Sequence, residues 1–408
     1  MKPKFFYIAV LMTIALAGLS ACNDNNNKDG ATAESQEIMI GALLPLTGML
    51  AEKGEASLAV MNLAIDDFNA YLQAQNAGKT VKLVYEDTET SPVVVGQKIE
   101  DLAAQGIRLV VGPMTSENLS EVKPYAEEMV MVLISQSSTA TSLSVDDNIF
   151  RLVPDDAVQA RAIADLMIHD GREAVVFIYR DDEWGNGLVA EVSGAFEKLG
   201  GTVIGQVGYR QKLEAEEQDE LISMVNQAIG TYGEDGVAIQ LASFSEGSSI
   251  LYTLSSDATL SSLAWYGGDG LTRDSGLISD AIAAQFAADV SLMSPAFHEN
   301  DSTEYINIKE RAEQQLGSSP DIFAMIAYDA VRIACLALTG DGDTENDLKG
   351  VVSSVASGYE GITGTIQLNA AGDRLSGAYD FWTVSDADGT YEWVRALTWD
   401  NGTITDTD

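Results

Sequence analysis

The sequence predicts an α/β protein with two doubly wound parallel sheets, and two observations predict it. From Ile38 onward short apolar runs alternate with stretches of helical period, as in "IMIGALLPL" followed by "GEASLAVMNLAIDDFNAYL". Near Phe150 a second series of the same kind begins. Strand–helix–strand units of this spacing favour parallel sheets covered by helices on both faces, and two series require two sheets.

In the first series the strand candidates are "IMIGALLPL", "VKLVYED", "IRLVV" and "VMVLIS", separated by "VVVGQKIEDLAAQ" and "ENLSEVKPYAEEM" as helices. In the second, "AVVFIYR", "TVIGQVGY", "GVAIQLAS" and "LAWYGG" alternate with helical stretches such as "GLVAEVSGAFEKLG" and "ELISMVNQAIG". After Ala288 come a strand-like "ADVSLMSPAF" and two helices, "STEYINIKERAEQQLG" and "DIFAMIAYDAVRIACLALTG". The tail reads as antiparallel strands with "DADG" as a hairpin turn.

The chain opens on "MKPKFFYIAVLMTIALAGLSAC", a positively charged start and a short apolar run. "LSAC" resembles the lipobox of bacterial lipoproteins, which implies cleavage before Cys22 and its lipidation. Residues 1–22 are thus expected to be a signal peptide and 23–36 a disordered tether, polar and free of aromatic residues. No later apolar run is expected to reach the length a spanning helix needs, so contact with the membrane is expected through the lipid anchor only.

Composition narrows the function classes. With 62 acidic and 23 basic residues the formal net charge is −39, which disfavours nucleic acid and anionic surfaces as partners. Acidic residues spread over solvated helix faces suggest saline surroundings. Cys335 is the only other cysteine and is expected to be a buried thiol, so an intrachain disulfide and a cysteine-based zinc site are excluded. "DGDTENDLKGVV" lacks the glycine and closing glutamate of a calcium loop and reads as a helix cap, so no metal is expected. "GNGLVA" matches a dinucleotide pattern, but no acidic residue ends the next strand, so no cofactor is expected. Neither His169 nor His298 falls in a loop at the predicted mouth, and no G-x-S-x-G elbow occurs, so the chain does not read as an enzyme.

In open sheets of this kind ligands lie beyond the carboxyl ends of the strands. That places "GPMTSEN", "SQSSTATS" and "GGDGLT" at one mouth. A run with so many hydroxyls, directly after a buried strand, suits a polar ligand better than a bare loop.

Taken with "IFRLVPDD", "YRDDEWGNGLVAEVSGAFEKLGGTV" and "GITGTIQLNAAGDRLSG", these segments resemble the type I periplasmic binding proteins, in the leucine/isoleucine/valine-binding branch that serves ABC transporters. The resemblance covers Ile38 to Trp393. It implies two lobes joined by three crossover segments, near Pro154, Ser291–Pro295 and Thr363. Lobe 1 would be 37–154 plus 292–362, and lobe 2 would be 155–291 plus 363–408.

The resemblance also implies site roles. Ser116 would hold a ligand carboxylate, Ser137, Ser138 and Thr139 both carboxylate and amine, and Asp269 the amine. Trp184 and Phe244 would form aromatic walls, with Lys53 and Asp156 as further candidates. Lys53 stands where the family carries a tyrosine. It is expected to face solvent; turned into the mouth, it would favour a ligand with an extra acid group. The family's short-loop disulfide has no cysteines here.

The implied function is an extracytoplasmic, lipid-anchored receptor, monomeric, that binds an amino acid of branched-chain or neutral type, or a related carboxylate, for ABC permease subunits. The alternative is a sensing module of the same fold, for an amide, urea or an organic acid, uncoupled from transport.

Overall fold

The computed structural model describes residues 35–407. The expected signal peptide, Cys22 and nearly all of the tether lie outside the described residues. Gln36, assigned to the tether from the sequence, already belongs to a strand, and its N–H donates to the Gly78 carbonyl at 2.9 Å.

The first half runs β1 (Gln36–Leu44), α1 (Ala51–Ala74), β2 (Lys79–Asp87), α2 (Pro92–Ala104), β3 (Leu109–Val111), α3 (Ser116–Glu128), β4 (Val132–Ser135) and β5 (Ile149–Arg151). Its five strands form one parallel sheet in the order β2-β1-β3-β4-β5. Side chains alternate between its faces. Ile40, Ala42, Val111 and Ile134 pack into one apolar cluster, while Leu43, Val110 and Leu133 pack into another. Burial on both faces is why these strands read as continuous apolar runs.

The second half follows with α4 (Asp156–His169), β6 (Ala174–Arg180), α5 (Glu183–Lys198), β7 (Thr202–Tyr209), α6 (Ala215–Tyr232), β8 (Val237–Ala242), α7 (Gly247–Leu254) and β9 (Ala264–Gly267). Strands β7-β6-β8-β9 make a second parallel sheet, again with an apolar cluster on each side. Two short helices, α8 (Ser275–Ser279) and α9 (Ala281–Asp289), lead to β10 (Ser294–Phe297).

The last third adds α10 (Thr303–Leu316), α11 (Ile322–Thr339), α12 (Leu348–Ala356), the short pair β11 (Tyr359–Gly361) and β12 (Gly364–Ile366), and then β13 (Tyr379–Ala387), β14 (Thr390–Asp400) and β15 (Thr403–Asp406). An antiparallel sheet, β10-β13-β14-β15, completes the fold. "DADG" is the β13–β14 turn. Asp388 and Gly389 both have positive φ (54° and 80°), the mark of the tight turn that suits strand twist. Asp347 of "DGDTENDLKGVV" caps α12 by accepting from the Gly350 N–H, and no group of metal-binding side chains occurs among the described residues.

Helix α11 corrects one expectation. By length and composition it could cross a membrane, which the sequence reading excluded for every later run. It is instead a core helix of the first half, with 78% of its length buried, packed in the cluster that holds α1 and β1. Its Cys335 is buried, and burial pushes the thiol up to about 12.

Three passages leave these sheets for the next segment: β5 into α4, β10 into α10, and β12 into β13. Thr363 itself stays with the first half, bonded to Asp329 of α11 through its N–H (3.0 Å) and hydroxyl (2.6 Å). The first and third passages are tied by a buried two-pronged ion pair: Arg151 Nε and Nη2 reach Asp373 at 2.5 and 2.7 Å.

Candidate functional site

The site begins with what the hydroxyl-rich loop after β4 does. Much of it is spent on holding itself. Ser135 donates to the Pro113 carbonyl (2.8 Å) and accepts from the Ser138 N–H (3.1 Å), and Ser137 donates to the Met114 carbonyl (2.8 Å). Ser116 and Ser138 share a bond of 3.0 Å, and the Ala140 N–H donates to Ser116 (3.2 Å). The two loops after β3 and β4 are therefore laced into one rigid wall. Arg151 fastens it from behind by donating to the Ala140 carbonyl at 2.7 Å. Ser116 is the first residue of α3, capped by Thr115, so backbone N–H dipoles favour negative charge there.

Across from this wall stand the loops after β6, β8 and β9. A cavity of about 40 Å³ lies between, lined by Ser116, Ser137, Thr139, Trp184, Phe244, Asp269 and Lys53, with Leu50, Met114, Thr115, Gly270 and Phe323. The cavity thus gathers most of the residues selected from the sequence. Ser138 does not line it and stands behind Ser116. Asp156 lies beneath, fully buried at the start of α4 with its N–H on the Thr139 carbonyl (2.8 Å).

Trp184 and Phe244 stack on each other, with ring centroids 4.8 Å apart and planes 19° from parallel. The glycines flanking Asp269 allow this. A Cβ at Gly270 would stand 2.6 Å from a Phe244 ring carbon and 3.0 Å from Trp184. Phe244 is pinned from its other side by the Arg180 guanidinium, 4.4 Å from the ring centre, itself bonded to Asp182 and Glu246.

Asp269 is buried, and its N–H donates to the Gln159 side chain at 3.1 Å. Burial pushes its carboxyl up to about 7, against the opposing field of Lys53 and the bond with Gln159. Asp156 is likewise raised well above the carboxylate range, by burial first and then by the Asp269 charge. One Asp156 oxygen accepts from Gln159 (3.2 Å), and the other has no partner among the described residues. Two buried acids side by side, with one lysine nearby, form a site short of positive charge.

Lys53 corrects a second expectation. Rather than facing solvent, its side chain is only 13% exposed. The ammonium donates to Asp321 at 2.9 Å and to the Thr272 carbonyl at 3.3 Å, so it bridges the two halves across the cleft. Burial raises the Asp321 carboxyl, and Lys53 with the α11 N–H of Ala324 more than offsets that, holding it low. The strands and loops give no pattern that marks Phe323, Leu50 or Gln159. Each sits in an apolar or helical stretch that reads as packing.

The family model for periplasmic binding proteins matches residues 37–390. The chain belongs to the periplasmic binding protein family. The family binds solutes outside the cytoplasm and is not one of enzymes. An uncharacterized protein of Methanocaldococcus jannaschii is 29% identical over 98% of both chains. A Leu/Ile/Val-binding protein of Rhizobium johnstonii is 24% identical, over 85% of this chain and 91% of that one. Among solved structures, an ABC transporter substrate-binding protein from Desulfitobacterium hafniense in complex with Leu superposes with a TM-score of 0.68. It is 22% identical, over 88% of this chain and all of that one. As a periplasmic binding protein the chain has its cavity where the fold places one, beyond the carboxyl ends of both parallel sheets.

Proposed function

We propose that this protein is the lipid-anchored receptor of an ABC importer, closing two lobes on a small neutral amino acid. The lobes are 37–154 with 292–362 and 155–291 with 363–408, save that Thr363 to Ile366, bonded to Asp329 and paired with β11, stay with the first, and Cys22 carries the anchor. One observation carries the reading: a cavity with a helix start and the hydroxyls of Ser116 and Thr139 on one wall and a buried carboxylate short of positive charge on the other. A zwitterion answers both. Its carboxylate takes the hydroxyls and N–H groups of Ser116 and Thr139, and its ammonium completes Asp269. Neither histidine adjoins the hydroxyls. His169 is exposed and His298 is bonded to Asp380, both away from the cavity.

Thermal shift followed by calorimetry over the standard amino acids, organic acids, amides and urea tests this. A neutral amino acid is expected to bind, and Thr139→Ala to weaken it by about tenfold, the usual cost of a hydrogen bond to a charged group. Equal binding by Thr139→Ala, or preference for acids without an amine, would reject the assignment.

The same site sets a pH dependence. Because the Asp269 carboxyl is raised to about 7, the unliganded fold holds an extra proton there between its ordinary range and neutrality. The ligand ammonium needs the ionised form. Affinity is therefore expected to be full above about pH 7 and to fall as pH drops through it, approaching tenfold per unit, in calorimetry across pH 5–8. A flat profile would remove Asp269 from the amine site.

A further inference from the structure

Lys53 has a hydrogen-bond donor left over. A lysine ammonium carries three N–H groups and no acceptor. One is given to Asp321 at 2.9 Å and one to the Thr272 carbonyl at 3.3 Å. The third meets no acceptor among the described residues. The two bonds fix the ammonium, and the side chain is largely buried, so little water reaches the remaining N–H. Lys53 lines the cavity that holds Asp269 and also the larger chamber beside it. The spare donor therefore stands where the side chain of a ligand leaves the head group.

The charges around Lys53 decide which acceptor suits it. Its own charge is answered by Asp321, whose carboxyl it helps to hold low. Asp269, Glu52 and Glu55 border the same two spaces, and the other cation there, Arg273, is bonded to Glu299. A second ligand carboxylate would thus meet more negative charge than positive. A purely apolar side chain laid against the ammonium would take away water and return no bond. A hydroxyl or carboxamide oxygen accepts the N–H and adds no charge. Apolar members of the larger chamber, among them Ile278 and Trp393, suit the carbon stem that carries it.

We infer that Lys53 reads the ligand's side chain, and that the receptor prefers amino acids bearing an uncharged side-chain oxygen, a hydroxyl or a carboxamide, over branched-chain and acidic ones. This rests on the amino-acid reading above and narrows its substrate class. Ser116, Thr139 and Asp269 keep the head group, and Lys53 sets the choice among side chains.

Calorimetry of the full mature chain with shape-matched ligands tests this: threonine against valine, and asparagine against leucine and aspartate. In at least one pair the oxygen-bearing amino acid is expected to bind about tenfold more tightly than its apolar match, the usual worth of a hydrogen bond to a charged group. Aspartate is expected to bind more weakly than asparagine. In Lys53→Met, which keeps the stem and removes the donors, the preference over the apolar match is expected to vanish. That change leaves Asp321 without its cation, so Lys53→Met with Asp321→Asn is the second variant. An asparagine can still cap α11, where Asp321 now accepts from the Ala324 N–H at 3.0 Å. Equal affinities within both pairs in the wild type would overturn the inference. So would a preference that persists in the folded variants, or aspartate bound as tightly as asparagine. Failure of the wild type to bind any amino acid would overturn the amino-acid reading itself, and this inference with it.

Discussion

Asp269→Asn is expected to weaken amino-acid binding by about thirtyfold or more while leaving the fold intact. Removing one member of a buried charge pair costs about 2–5 kcal/mol, and each 1.4 kcal/mol is about tenfold in affinity. The unliganded protein should not suffer, because the carboxyl is held there against the cost of burial and beside Asp156. An amide keeps the shape without the charge. Thermal unfolding without ligand should therefore be unchanged or raised, and the ligand-induced shift nearly lost. The pH dependence of whatever binding survives should also flatten. A variant that binds like the wild type would show that Asp269 does not meet the amine.

Asp373→Ala is expected to destabilise the protein by about 3–5 kcal/mol, the largest effect on the fold among the substitutions considered. It strands Arg151, whose guanidinium is fully buried and donates both of its charged bonds to Asp373. Breaking such a pair is worse than replacing both members. Arg151→Met with Asp373→Leu should recover much of the loss, as measured by the midpoint of urea unfolding. The double variant still loses the Arg151 bond to the Ala140 carbonyl that steadies the wall carrying Thr139. It is thus expected to be stable but weaker in ligand binding. Equal stability of Asp373→Ala and the wild type would mean that the pair does not hold the passages together.

The sheets were legible because their strands are buried on both faces and so leave short, unbroken apolar runs between helical periods. The mouth was legible for a topological reason: loops after parallel strands converge, whatever their sequence. Other features were hidden. The helix Ile322–Thr339 is apolar nearly all round because it lies inside the first half, a pattern that composition shares with a membrane span. The place of Lys53 depends on Asp321, far along the chain, and spacing carries no trace of that partner. Ser138 resembles its neighbours in "SQSSTATS", yet it turns away to bond Ser116 while Thr139 lines the cavity. Only the path of the backbone separates them.

The most direct test is a crystal structure grown with alanine. The account predicts density in the cavity between Ser116 and Asp269, with the ammonium within hydrogen-bonding distance of Asp269 and the carboxylate against Ser116 and Thr139. Alanine bound head to tail in the opposite sense, or bound only outside the cavity, would contradict it.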